Sequence, residues 1–214
     1  MDHVTIANRA ISRIGGIRMQ SFDQPGPAGK NAVDLYWSVI EDLMGKYPWH
    51  FTKKKAALSR ETDAPVFGWT YKFLLPPDRL GPPRAIYDSP AVNARPFTNW
   101  EPNGQHILAN VEALWCEYPW KPDPDWWPAY FRELSNLCLM AEYAGALRED
   151  WTLRAKLRLE AYGSEQMQGE GGQFAVATAL DAQAQPAPEI DGGRNPITAV
   201  RYGPGDARSG YEDW

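Results

Sequence analysis

Apolar positions near the start of the chain recur every three or four residues. Val4, Ala7, Ile11 and Ile14 fall on one stripe, Asp2 stands where an N-cap belongs, and Gly15-Gly16 ends the run. The pattern predicts an opening helix. The stretch "DQPGPAG" is built from turn residues. Beyond it a second helix is predicted from Asn31 to Tyr47, with Ala32, Tyr36, Val39, Leu43 and Tyr47 on one face and Pro48 as its stop. From Trp49 the period changes. "HFTKKKAALSRE", "FGWTYKFLLPPDRL", "RAIYDS", "HILAN" and "EALWCEY" are short runs broken by Pro, Gly and Asn, which predicts strands and turns. Trp69, Tyr71 and Phe73 alternate with Thr70 and Lys72, the period of a half-buried strand, and "PNG" at 102–104 marks a turn between strands.

The helical period resumes in "DPDWWPAYFRELSNLCLMAEYAGALRED". Asp125 is a cap, Pro128 lies in the first turn, and Phe131, Leu134, Cys138, Ala141 and Gly145 form the stripe. Ala141, Ala144, Gly145 and Ala146 leave room for a close neighbouring helix. That neighbour is predicted from Trp151 to Gln166, with Leu153, Leu157 and Ala161 inward and Arg154, Lys156, Arg158 and Glu160 on a solvated face. After Gln166 the period fades, apart from a short helix before Pro186. Residues 169–214 contain eight Gly, four Pro, seven acids and three Arg. The expected fold class is mainly α. Residues 1–47 plus 124–168 form a helical bundle, 48–123 a small β-rich insertion, and 169–214 an extended C-terminal arm. The arm keeps Phe174, Val176, Leu180, Ile190, Ile197, Val200, Tyr202, Tyr211 and Trp214. Disordered tails usually lose such residues, so these side chains are expected to be buried by a partner.

Composition adds limits. A chain of 214 residues with 43% hydrophobics and ten tryptophans can build a real core, and its net charge of −5 argues against tight binding to phosphate backbones. Cys116 and Cys138 read as buried thiols of a reducing compartment. No apolar run suits a membrane helix, and "MDHVTIANRAISR" lacks a signal-peptide layout. Chemistry is sparse. His3, His50 and His106 lie in three segments, "GEGGQ" lacks the context of a phosphate loop, and no Gly-x-Ser-x-Gly occurs. The acid pairs Asp123/Asp125 and Glu149/Asp150 sit at helix ends, where capping and the dipole already favour them. No catalytic residue, metal site or cofactor is expected, and the protein reads as a non-enzyme. The "KKK" at 53–55 reads as a solvated strand edge, with a basic DNA-facing ring as the lesser reading. The tryptophans read as core and interface residues, with sugar or base stacking left open.

The order of several motifs is familiar as a set. Ala10-Ile11-Ser12-Arg13-Ile14-Gly15 is followed by Ser21-Phe22-Asp23, then Tyr47-Pro48-Trp49 with Phe51, then "KAALSR". Gly68-Trp69-x-Tyr71-x-Phe73-x-Leu75-Pro76 comes next, with Asp78 and Leu80. "LANVEALWCEY", "WPAYFRELSNLCLMAEYA" and "GGQFAVATALDAQAQP" complete the series. Together they resemble the head-to-tail adaptors of tailed phages, the tail-tubular-protein-A-like family, and in particular members carried by prophages and gene transfer agents. The resemblance runs along essentially the whole chain.

It implies a structural virion protein, made in the host cytoplasm and placed at the head–tail junction. Twelve subunits would form a ring between the portal protein and the next tail component, a nozzle or stopper. Double-stranded DNA would pass through without sequence-specific binding, and no membrane would be involved. The arm would dock on the portal, and the β-rich part, through Trp69, Tyr71 and Trp100, would face the tail. Similar proteins often carry arginines where this chain has "AVATAL", so apolar docking through Phe174, Val176 and Leu180 is expected here instead. A ring that gripped phosphates would slow DNA, which suits a mildly acidic subunit. Two other readings stay open. One is a tail component that binds or cleaves cell-wall carbohydrate, resting on the tryptophans and Asp123/Asp125; the other is a helical scaffold for some other partner.

Overall fold

The computed structural model describes residues 2–23, 27–91, 94–164, 166 and 170–184. Helix α1 (His3–Arg13) begins where Asp2 Oδ1 accepts the Thr5 N–H at 2.8 Å. Its buried stripe is Ile6, Ala7, Ala10 and Ile11, followed by Ile14. Asn8 is buried too, because its amide is fully used: Nδ2 donates to the Met19 carbonyl and Oδ1 accepts the Met19 N–H. That exchange ties the loop after α1 to the helix. Helix α2 (Pro27–Lys46) buries Ala32, Tyr36, Val39, Ile40 and Leu43. Helix α3 (Ala129–Arg148) buries Phe131, Leu134, Cys138, Ala141 and Gly145, the stripe read from the sequence. It turns into α4 (Trp151–Tyr162) through Glu149, held at φ 54°, and Asp150, whose carboxylate caps the Leu153 N–H at 2.9 Å. A Cβ at Gly145 would lie 2.7 Å from Arg154 Cδ. The small residues therefore serve the close approach expected of them.

Two antiparallel sheets occupy the middle of the chain. The first has the order β1 (Lys53–Ala57), β7 (Trp115–Pro119), β4 (Ala85–Tyr87). The second runs β2 (Ser59–Arg60), β3 (Tyr71–Leu74), β6 (His106–Ala109), β5 (Trp100–Asn103). Cys116, Tyr118 and Ile86 from the first sheet share a core with Phe73, Ile107 and Ala109 from the second. Gly104 turns between β5 and β6 at φ 61°, where "PNG" predicts it. Trp69 departs from its expected register. The strand starts at Tyr71, after Gly68 at φ 84°, so Trp69 is free of the pleat and does not share the face of Tyr71 and Phe73.

The mainly α expectation is corrected. Helices take 46% of the described residues and strands 17%, the latter in sheets of three and four strands, so the class is α+β. Short strands carry little periodic signal: β2 is two residues long and β5 contains Pro102. The described helices and both sheets belong to one compact unit, Met1–Ala184.

Trp49 stands where the helices meet the sheets. It is wholly buried, with ring centroids of Tyr47, Phe131 and Phe174 at 4.8, 5.2 and 5.9 Å. Its indole N–H donates to the Leu43 carbonyl at 2.7 Å, near the end of α2. Its own carbonyl accepts from Arg84, which also donates to Thr52 Oγ1 and through its backbone to Glu117 in β7. Replacing Trp49 with Ala is expected to cost about 3–5 kcal/mol by cavity formation and the lost indole bond. Urea unfolding would show it as one transition at a lower midpoint, and a loss below about 1 kcal/mol would contradict the central role.

Candidate interaction surfaces

Helix α5 (Gly172–Ala182) packs against its own chain. Phe174 is 6% exposed and lies against Trp49 and Tyr162. Ala177 is buried one turn on, and Asp181 follows with no exposed surface. The approach is tight at the start of the helix: Gly172 has φ 56°, and a Cβ there would meet the Glu160 carbonyl oxygen at 2.4 Å. This corrects the boundary of the arm. Residues 172–182 belong to the body, and Phe174 is a core residue rather than a group offered to a portal. Val176 and Leu180 remain exposed on the outer side of α5. Ile190, Ile197, Val200, Tyr202, Tyr211 and Trp214 lie outside the described residues.

Asp181 is held by four contacts. Its Oδ2 accepts the His50 backbone N–H at 3.0 Å and His50 Nδ1 at 2.7 Å, while Oδ1 accepts the same backbone N–H at 3.2 Å and the Tyr130 hydroxyl at 2.6 Å. A carboxylate only accepts, so His50 Nδ1 carries the hydrogen. Burial, and then the bond to Asp181, push the Tyr130 hydroxyl far above its ordinary value, so it stays a donor. Sequence reasoning missed this junction. The signal was there, because Phe174, Ala177 and Asp181 are spaced three and four apart, which puts an acid on the buried stripe. Replacing Asp181 with Ala removes the acceptor shared by the His50 backbone N–H, His50 Nδ1 and the Tyr130 hydroxyl, three part-buried donors, at about 1 kcal/mol each before relaxation. Limited proteolysis is expected to cut between α4 and α5 in this variant and not in the parent. An unchanged digest would show that apolar packing alone holds α5.

The three residues predicted to face the tail do not form one surface. Tyr71 and Trp100 flank Ala109 in register and pack on the core between the sheets. Trp69 lies on the opposite face of the second sheet. There the loop from 61 to 70 folds over Lys72, Leu108 and Glu101, and the Trp69 indole N–H donates to Glu101 Oε2 at 2.7 Å. Asn110 Oδ1 accepts both the backbone N–H and the hydroxyl of Thr70, at 2.8 and 3.0 Å, and secures the loop's end. The tip is bare: Val66 is 98% and Phe67 85% exposed. On the other face, beside edge strand β5, a groove is lined by Arg79, Leu80, Pro82, Pro83, Trp100 and Ile107.

The charged candidates have structural partners. Lys53 and Lys55 both lie within ion-pair distance of Glu117, at 3.3 and 3.7 Å, and Lys54 bonds Asp78 at 2.6 Å. Strand β1 is an edge, and its three lysines share two acids, which leaves one positive charge in excess. Asp150 is a cap and Glu149 a helix terminus. Asp123 and Asp125 are exposed around the short 3-10 turn Pro124–Trp126, where the Asp123 side chain makes no cap bond. Among the described residues no three His, Cys, Asp or Glu converge as metal ligands, and no helix is long and apolar enough to cross a membrane. No family model matches the chain, and no curated protein matches it.

Cys116 and Cys138 are buried and free, and burial pushes each thiol up to about 11. The unfolded chain therefore loses these protons first, and stability is expected to fall as pH rises from about 9 towards 11. Thermal melts across that range should show a shallower slope for the double Cys→Ala variant than for the parent. A thiol reagent at pH 8 should leave both native cysteines unlabelled until denaturant is added; labelling without denaturant would contradict their burial.

Proposed function

We propose that this protein is a non-enzymatic head-to-tail adaptor of a tailed-phage-like particle. Copies of it form a ring at the head–tail junction, grip the portal on one side and receive the next tail component on the other, with DNA passing through the centre. The observation that carries this reading is where the large apolar side chains lie. The interior is packed, yet Val66 and Phe67 on the second sheet's loop, Trp126 before α3, Trp151 and Leu159 on α4, and Val176 and Leu180 on α5 are all displayed to solvent. Exposed apolar groups on several separate elements suit a subunit with more than one protein neighbour. The joint order of motifs along the chain supports the same reading. The mildly acidic balance, and the two acids set among the three lysines of β1, suit a ring past which a duplex slides.

Native mass spectrometry and imaging of the full chain, alone and mixed with portal protein, test the proposal. A closed homo-oligomer of about twelve subunits that binds portal is expected. Removing residues 185–214 is expected to abolish portal binding while leaving the melting temperature of the body unchanged. A chain that stays monomeric and ignores portal would overturn the reading.

A further inference from the structure

We propose that neighbouring copies of this chain join head to tail by seating the Val66-Phe67 tip of one subunit in the β5-side groove of the next. The inference rests on the ring reading above and names the contact that builds it. Register along the second sheet places the two features on opposite faces. Lys72, Leu108 and Glu101 share the face covered by the tip's loop, whereas Phe73, Ile107 and Pro102, with Trp100, share the face that opens into the groove. A tip and a socket on opposite sides of one sheet do not meet each other through a two-fold axis. Repeating such a heterologous contact generates a ring or a filament.

The two surfaces match in chemistry. The tip offers an aliphatic and an aromatic side chain, both almost fully bare, on a stem already fixed by the Trp69–Glu101 and Thr70–Asn110 bonds. Little ordering is then required on binding. The groove offers Leu80, two prolines and the Trp100 ring. Charge matches as well. Asp63, on the tip's loop, makes no ion pair among the described residues, and neither does Arg79 in the groove, whose guanidinium donates to the Pro76 carbonyl at 3.1 Å. Its sequence neighbour Asp78 is already engaged by Lys54. Asp63 on the tip's loop and Arg79 lining the socket, neither with an ion-pair partner among the described residues, are the complement that such a joint requires.

Sedimentation of the full chain over a concentration series tests the joint, using Phe67→Asp, the single changes Asp63→Arg and Arg79→Asp, and the double swap. Phe67 is exposed, so Phe67→Asp should melt like the parent. It is expected to weaken self-association at least about tenfold. Each single charge change should weaken association, and the double swap should restore it, which a merely structural role for either residue would not do. If the parent assembles and Phe67→Asp assembles equally well, the joint is wrong and the ring stands on another contact. If Phe67→Asp keeps the ring but loses a different protein, the tip belongs to that partner and the joint is again wrong. A parent that never associates removes both the joint and the ring.

Discussion

A buried tryptophan has to place both a large apolar body and one N–H donor, and in this protein Trp49 does so where every layer meets. The donor is spent on Leu43 near the end of α2, which satisfies a helix-end carbonyl that would otherwise face apolar surroundings. The body is enclosed by rings from the segment after α2, from α3 and from α5. The Trp49 carbonyl then takes a hydrogen bond from Arg84, whose backbone is already committed to β7. One residue thereby couples the helix core to the first sheet. The arrangement leaves little freedom for the two halves to move separately, because each contact is either buried or hydrogen-bonded.

The second constraint is electrostatic. Asp181 gives up water entirely, and its burial is tolerable only because two oxygens receive hydrogen from His50 and Tyr130. Arg84, depressed by burial, adds a favourable charge from further off. The result is a directional lock on α5 beside the non-directional packing of Phe174 and Ala177. Apolar burial alone would let a short helix slide or rotate; a carboxylate that needs named donors does not. The lock fixes where the body ends and sets Val176 and Leu180 outward.

Surface chemistry follows from how charge and apolar area are divided. Glu117 and Asp78 offset two of the three lysine charges of β1, and the lysines discourage a stray strand from pairing with this edge. Apolar area is shown instead at a loop tip held by hydrogen bonds at its root and at the outer sides of helices. Such a division suits a protein whose work is to hold other proteins in register.

The existence of helices α1 to α4 and most of their inward positions were determined by the sequence, because a repeat of three or four apolar positions has one economical reading. Asp2, Asp150 and the small residues of α3 are cases in point. Yet Val4 stands off the buried stripe of α1, Asp125 lies in a 3-10 turn rather than capping α3, and α4 stops at Tyr162 rather than Gln166. The presence of strands between Trp49 and Trp120 was also legible, as was the turn at Gly104. Tertiary structure decided the rest. Which strands pair, that Trp69 leaves the face of Tyr71, and that Phe174 packs inside the body all depend on partners far away in sequence. A tail rich in Gly, Pro and scattered apolar residues looks the same locally whether its first turns dock on the chain's own helices or on another molecule. Only the spatial match of Phe174 to Trp49 and of Asp181 to His50 and Tyr130 settled the choice, since burial and hydrogen bonding are properties of neighbours, not of spacing.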